Sequence, residues 1–158
     1  MHEPVAYMER TRRYYEAQGF ERPYQWSHHE DIPFHQPTKP LEQSRVTIVT
    51  TAIHPDDASQ VMVGRAARSI AVAEVPDNFF TDDLSWDKVT THTRDRGSYF
   101  PLEPLQEMAA KGTIGSLAPR FHFVPTEYSQ RHTINSDAPA ILAACMQDEV
   151  DVALLVPL

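Results

Sequence analysis

The pattern of apolar and polar residues predicts four β-strands. Residues 45–52 give the clearest signal, because β-branched side chains fill the run and small polar residues end it. Residues 69–76 alternate as a second strand, and residues 121–124 form a third. Residues 150–158 are rich in Val and Leu, a composition typical of a strand buried on both faces of a parallel sheet.

Three helices are predicted around these strands. The first covers residues 4–18 and ends at Gly19. The second covers residues 104–111 and is followed by a glycine, the residue that most often ends a helix. The third runs to Gln147 and is capped by Ser136 or Asp137, with Pro139 in the first turn.

Strands and helices that alternate along one chain predict an α/β fold. We expect three layers of the flavodoxin or Rossmann kind, with helices on both faces of a mostly parallel sheet. Residues 1–41 form an N-terminal helix and a Pro-rich wrap, and residues 42–158 form the α/β part of a single domain. In such sheets the ligand site lies just beyond the carboxyl ends of the strands.

Composition narrows the classes of function. The formal net charge of −8, without a basic stripe, argues against a nucleic-acid partner. The single cysteine, Cys145, cannot form an internal disulfide, and its place on a helix predicts a buried, inert thiol. No apolar run approaches the length of a membrane span, and the first residues do not resemble a signal peptide. We therefore expect a cytoplasmic protein with no membrane partner.

Polar side chains cluster where the strands are predicted to end, and they supply the candidate chemistry. Imidazoles and carboxylates beside one crevice suit proton transfer, and an Arg can bind a carboxylate through two hydrogen bonds. The candidate catalytic residues are His92, His122 and Glu127. The candidate substrate-binding residues are Thr50, Thr51, Ser129 and Arg131. For either histidine taken alone, the alternative is a structural role.

The loop His54-Pro55-Asp56-Asp57 after the first strand suggests a different chemistry. It looks like the metal-binding loop of the zinc-dependent N-acetylglucosaminyl deacetylases, in which a His and an Asp bind zinc and the other Asp acts as base. That likeness implies His54, Asp56 and Asp57 as an alternative metal site. The two residues after the loop depart from that family, and its downstream pair of histidines is not found in this sequence.

Several short motifs in a fixed order carry a broader resemblance, from about Tyr7 to Leu158. They are Lys39-Pro40-Leu41 before the first strand, Thr91-His92-Thr93, Tyr99-Phe100-Pro101-Leu102, residues 112–122 (Gly-Thr-Ile-Gly-Ser-Leu-Ala-Pro-Arg-Phe-His) and residues 125–131 (Pro-Thr-Glu-Tyr-Ser-Gln-Arg). With these motifs the chain resembles the selenoprotein B-type subunits of the glycine, sarcosine, betaine and D-proline reductases. The loop at residues 54–57 departs from the pattern of that family.

The resemblance implies a selenol or dithiol oxidoreductase that reductively cleaves a carbon–nitrogen bond alpha to a carboxylate. In that family the strand matching residues 152–158 leads directly into a Cys-Pro-x-Cys or selenocysteine-Pro-x-Cys motif. Only the anion of such a residue is nucleophilic, and a helix N-terminus lowers its pKa. We therefore expect the redox residue to follow Leu158 and the fold to be incomplete at its C-terminal end. A UGA codon for selenocysteine taken as a stop would end the sequence here, and a fragment is the alternative.

The resemblance also implies the partners. These are other reductase subunits, one of which carries a pyruvoyl group, together with a thiol or selenol electron donor and a small amine or amino acid as substrate. No cofactor is expected within this chain itself. Two other classes stay open at this point, namely a zinc-dependent amide hydrolase that uses the loop at residues 54–57 and a binding subunit without catalysis.

Overall fold

Residues 6–23, 26, 28–32, 35–57, 66–81, 92–124, 126 and 129–158 are described by a computed structural model. Contacts divide the chain into two units, Met1–Gln36 and Pro37–Leu158. The predicted division at residue 41 stays a prediction. The predicted α/β fold is confirmed in the second unit, which contains a five-stranded, mostly parallel sheet with helices.

The first unit contains helix α1 at Tyr7–Ala17. The carboxylate of Glu9 accepts hydrogen bonds from Arg12 at 3.1 Å and from Arg13 at 2.8 Å. These pairs three and four residues apart are neighbours on a helix surface and stabilise it modestly. Gly19 follows with a φ of 84°, a left-handed conformation that glycine adopts without steric cost. The prediction that Gly19 ends this helix is therefore confirmed.

Five strands form the sheet of the second unit. Their bounds are β1 Arg45–Thr50, β2 Arg68–Ala71, β3 Ser116–Leu117, β4 Arg120–Phe123 and β5 Val152–Val156. β1 lies in the centre, with β3 and β4 parallel to its two halves along one edge and β5 parallel to it along the other. β2 pairs with β4 and is antiparallel to it.

The helices of the second unit are α2 Leu102–Ala110, α3 Gln130–His132 and α4 Ala138–Gln147. A π-helical turn at Thr133–Asp137 joins α3 to α4. The bounds of α4 agree with the predicted helix, in which Ser136 or Asp137 precedes the first turn and Pro139 lies within it, but further helical turns precede α4. The hydroxyl of Ser129 accepts a hydrogen bond from the backbone N–H of His132 at 3.2 Å, which caps the first of these turns.

The second strand is shorter than predicted. β2 stops at Ala71, and the chain turns into a 3₁₀ helix at Val72–Glu74. Ala71 pairs with Arg120, the first residue of β4. Arg120 is preceded in the chain by Pro119. Since Pro119 has no N–H to continue the ladder, only its carbonyl is used, by the N–H of Val72 at 2.9 Å.

One face of the sheet builds the hydrophobic core. Residues paired across strands point to the same face, so Ile48, Ile70 and Phe121 lie on one side with α2. Phe100 is at the centre of this core and is fully buried. Its ring centroid lies 5.1 Å from that of Phe79, 5.4 Å from Phe121 and 5.7 Å from Phe123.

The opposite face of the sheet carries polar side chains and α4. Arg120 donates a hydrogen bond to the carbonyl of Ala144 at 3.3 Å, and His122 lies against Cys145. α2 and α4 therefore cover opposite faces of the sheet, as expected for three layers.

The prediction that the last strand is buried on both faces is wrong. β5 occupies an edge of the described sheet, and Leu154 and Leu155 are 39% and 71% exposed. Val152 and Val156 do pack against the core. α4 contacts β4 through Arg120 and His122, and Leu155, at the edge of the described sheet, is exposed.

The end of α4 carries a backbone conformation that glycine usually provides. The N–H of Val150 donates to the carbonyl of Cys145 at 2.9 Å, and that of Glu149 donates to Met146 at 3.2 Å. This pair of bonds closes a helix around one left-handed residue. Glu149 takes that position with a φ of 53°, the single positive φ of a non-glycine residue in the described part of the chain.

Glu149→Gly is expected to stabilise the protein by about 0.5–1 kcal/mol. A residue with a Cβ costs about 1–2 kcal/mol in this conformation, and glycine gives part of that back through its greater freedom in the unfolded chain. Urea unfolding followed by circular dichroism measures the difference. Glu149→Ala, which keeps the strain, is the control and should bring no such gain. A lower unfolding midpoint for the glycine variant would contradict the prediction.

Candidate functional site

Three parallel strands end together at one edge of the sheet, which is the predicted place for ligand binding. Thr50 at the end of β1 pairs with Phe123 of β4 on one side and with Val156 of β5 on the other. We use the name carboxyl edge for the residues just beyond, Thr51 and Leu158 among them. In α/β sheets, groups at this edge are the ones available to a ligand.

Thr51 links the chain after β1 to the chain after β5. Its hydroxyl oxygen accepts a hydrogen bond from the backbone N–H of Leu158 at 2.8 Å. The same hydroxyl donates to the carbonyl oxygen of Leu158 at 3.3 Å, across a sequence separation of 107 residues. One side chain therefore holds both backbone polar groups of Leu158 at the carboxyl edge.

Thr50, the neighbouring candidate, lies inside the core and is 1% exposed. Its hydroxyl donates to the carbonyl of Tyr99 at 3.0 Å and accepts from the N–H of Ala52 at 3.3 Å. Both functions of the hydroxyl are thus used within the fold, because an unpaired buried hydroxyl would be costly. A substrate-binding role for Thr50 stays a prediction, and the described contacts give it a structural one.

His122 is fully buried and bridges two other side chains on the α4 face of the sheet. Its Nδ1 lies 2.9 Å from the hydroxyl of Ser69 on β2, and its Nε2 lies 3.5 Å from the thiol of Cys145 on α4. Ser69 and His122 face each other because they are paired in the antiparallel ladder. Both ring nitrogens therefore have partners.

An ion pair beside this cluster sets its electrostatics. Arg120 donates to both carboxylate oxygens of Asp148 at 2.8 Å, a two-bond geometry that lowers the pKa of Asp148. Burial, with the nearby Arg120, lowers the pKa of His122. Burial and the nearby Asp148 raise the pKa of Cys145. The imidazole and the thiol are therefore both neutral near pH 7, and a neutral thiol is a weak nucleophile.

The protein should lose stability as the pH falls below 6.5, the ordinary pKa of histidine. Because the folded state lowers the pKa of His122, the unfolded chain takes up a proton first as the pH falls. The contribution of His122 is thus complete above pH 6.5 and declines toward its lowered pKa. Urea midpoints measured on either side of pH 6.5 test this.

His122→Gln should reduce this pH dependence, whereas His92→Gln, at an exposed histidine, serves as the matched control and should keep it. An equal dependence in both variants would show that the buried imidazole is not responsible. The ion pair of Asp148 does not affect this range, because the hydrogen bond from Arg120 lowers the pKa of Asp148: its stabilisation is complete above the ordinary value of 3.8 and is lost only as the pH falls further.

The remaining candidate residues lie in different surroundings. His92 and Arg131 are exposed, and Ser129 is half-buried at the start of α3. Glu127 lies outside the described residues. Within the described residues, no hydrogen bond joins His92, Ser129 or Arg131 to the Thr51 hydroxyl. Their predicted roles in substrate binding and proton transfer stay predictions.

The loop that suggested a zinc site, residues 54–57, lies beside the positively charged side chain of Arg68. Arg68 Nη1 lies 3.2 Å from Nδ1 of His54, and Nη2 lies 3.7 Å from the carboxylate of Asp56. The N–H of Asp56 also points at Nδ1 of His54, at 3.3 Å. Asp57 lies in the same turn, at Pro55–Asp57. A guanidinium beside two of the three implied ligands opposes the binding of a second cation there. Among the described residues there is no group of three potential metal ligands.

The Ser69, His122 and Cys145 cluster is the feature that sequence reasoning missed, since only His122 was a candidate. A signal was present in the alternation of Arg120 and His122 with Phe121 and Phe123. That alternation places two polar side chains on one face of a strand whose other face is in the core.

No family model matches the chain, and the comparisons with curated proteins and with solved structures find no match either. The resemblance to the reductase subunits therefore stays a prediction. In the part of the chain that the structure describes, no helix combines the length and the apolar character needed to cross a membrane.

Proposed function

We propose that this chain is a subunit of a selenol or dithiol oxidoreductase similar to the glycine, sarcosine, betaine and D-proline reductases. Its reaction is the two-electron reductive cleavage of a carbon–nitrogen bond alpha to a carboxylate. The motifs at residues 39–41, 99–102 and 112–122 motivate the assignment to this family. The double hydrogen bond between Thr51 and Leu158 is the structural observation that supports it.

The geometry bears on where a redox residue would stand. Leu158 is held beside the end of β1, the central strand. A nucleophile in the next position would start from the carboxyl edge, where an α/β sheet presents ligand-binding groups. In this proposal Thr51 is a positioning residue, because it fixes the direction of the backbone that precedes the nucleophile.

The other site residues belong to the same proposal. His92, His122 and Glu127 serve proton transfer, and Ser129 and Arg131 bind the substrate carboxylate. The imidazole of His122 is neutral near pH 7, because burial lowers its pKa, and its ring nitrogens contact Ser69 and Cys145. The pyruvoyl group and the thiol or selenol donor belong to partner subunits, and a selenolate, when present, supplies the nucleophile.

The first test is the nucleotide sequence that follows the codon of Leu158. The proposal expects a codon for cysteine, or a UGA codon for selenocysteine, followed by Pro, any residue and Cys in one open frame. Any other sequence at this position would overturn the assignment to the reductase family.

The second test uses the chain extended by that motif and combined with its partner subunits. Thr51→Val should lower the thiol-dependent cleavage of the carbon–nitrogen bond by about tenfold, because the nucleophile loses its fixed position. The cleavage is followed as the amine released from glycine, sarcosine or betaine, or as the ring opening of D-proline. Thr47→Val is the matched control, since it removes a buried hydrogen bond of 2.9 Å to the carbonyl of Arg120, away from the carboxyl edge. Equal activity in the two variants would contradict the positioning role.

A further inference from the structure

A cavity of about 380 Å³ opens at the other end of the sheet, where β1, β3 and β5 begin. Its volume is within the range of small-molecule pockets. The lining combines two cations, two anions, two neutral polar side chains and an apolar wall: Lys39, Arg45, Glu149, Asp151, Gln43, Ser116, Met146 and Val150. The residues come from three separate stretches of the chain, so the fold is required to assemble them.

One of the two anions is fully used in holding the fold. Asp151 accepts a hydrogen bond from Lys39 Nζ at 2.9 Å and another from the backbone N–H of Arg45, also at 2.9 Å. Each carboxylate oxygen therefore has its own donor. The side chain of Asp151 anchors the start of β1 and offers little further capacity to a ligand.

The other pair of charges has capacity left. Nη1 of Arg45 donates to the carbonyl of Asp148 at 2.6 Å and lies 3.4 Å from a carboxylate oxygen of Glu149. For Nη2 of Arg45, the described residues provide no hydrogen-bond partner. The carboxylate of Glu149 is 82% exposed, and among the described residues that single long contact is its only one. The guanidinium of Arg45 and the carboxylate of Glu149 therefore lie next to each other, and both retain hydrogen-bonding capacity for a ligand.

The backbone of Glu149 gives an independent reason to look at this position. A left-handed φ of 53° at a helix end favours glycine, yet the chain has a glutamate there. Strained backbone conformations cluster at binding and catalytic sites. The strain here places a carboxylate on the rim of the cavity, which glycine would leave without a charge.

We propose that this cavity binds an α-amino acid as its zwitterion. Nη2 of Arg45 donates to the ligand carboxylate, and the carboxylate of Glu149 accepts from the ligand ammonium. In an α-amino acid these two charges are attached to one carbon, which suits protein charges that are only 3.4 Å apart. Met146, which is 72% exposed, provides an apolar wall, so the side chain of the ligand is apolar.

Isothermal titration calorimetry of the full chain with L-leucine tests this proposal. Saturable binding is expected. Isocaproate, which lacks the ammonium, and isoamylamine, which lacks the carboxylate, should each bind about tenfold more weakly or worse. Absence of saturable heat with L-leucine, or equal binding of isocaproate, would overturn the proposal.

Two variants locate the binding at this cavity. Glu149→Gln should weaken the binding of L-leucine by about tenfold, and Glu149→Gly should weaken it while the fold becomes more stable. Glu107→Gln, at a carboxylate on α2 that is 66% exposed, is the matched control and should leave binding unchanged. If L-leucine binds equally to the Glu149 variants, the cavity is not the site. The outcome does not depend on Thr51, so it is separate from the test of the reductase function.

Discussion

Phe100→Ala should destabilise the protein by about 3–5 kcal/mol, the largest effect expected of a single substitution here. The ring is fully buried and lies within 5.7 Å of three other aromatic rings, those of Phe79, Phe121 and Phe123. Removing the ring loses the free energy gained by transferring it from water to the core. It also leaves a cavity, so the neighbouring rings lose their contacts with it. A loss of this size is a large part of the total stability of about 5–15 kcal/mol that is usual for a domain.

Thermal and urea unfolding of the two proteins measure this loss. Phe20→Ala is the matched control, because Phe20 is 58% exposed and its truncation should cost far less. A change below about 1 kcal/mol for Phe100→Ala would show that the aromatic cluster is not the centre of the core.

Gly115→Ala should cost about 2–3 kcal/mol, the second largest effect. A Cβ at this position would lie 2.6 Å from the carbonyl carbon of Gln43 and 2.9 Å from both the nitrogen and the oxygen of Ser44. These are backbone atoms, so no side-chain rotation can relieve the clash. The start of β3 would have to move away from the start of β1. That movement would weaken the hydrogen bonds from the N–H of Gly115 to the carbonyls of Leu41 at 2.9 Å and Ser44 at 3.0 Å.

The matched control for this experiment is Gly97→Ala. The Cβ of that variant would meet only a side-chain oxygen of Asp95, at 3.2 Å, which can move. The difference between the two urea midpoints therefore reports the cost of the backbone clash. Equal midpoints would mean that the start of β3 can shift away from β1 at little cost.

The elements that the sequence predicted best are those with strong local signals. Residues 45–50 combine β-branched side chains with burial and form β1 as expected, and Gly19 ends α1. The helical turns before α4 were not predicted because Thr133, Asn135 and Ser136 are weak helix formers, and they are accommodated in a π-helical turn. The exposure of β5 depends on its place at an edge of the described sheet, which no local pattern contains.

In the candidate site, too, some features follow from local sequence and others depend on tertiary structure. Thr51 was predicted as a candidate by its place after a strand, a rule that needs only the order of elements. The contacts of His122 needed the register of β2 against β4, because Ser69 is 53 residues away in sequence and Cys145 is 23 residues away. The ion pair of Arg68 with Asp56 likewise depends on tertiary structure. It places a positive charge beside a loop that resembles a zinc site, and this charge opposes the binding of a metal cation.

The central position of β1 has a kinetic consequence. Its partners come much later in the chain: the Arg120 carbonyl that Thr47 binds is 73 residues away, and Asp151 is 106 residues from Arg45. Ribosomes add about 5–20 residues per second, so β1 leaves the ribosome roughly 5–20 s before β5 can pair with it. During that interval Val46, Ile48 and Val49 are an unpaired β-forming segment of the kind that aggregates. Slow synthesis at low temperature lengthens this delay, and chaperones that bind extended apolar segments would protect the nascent chain at β1.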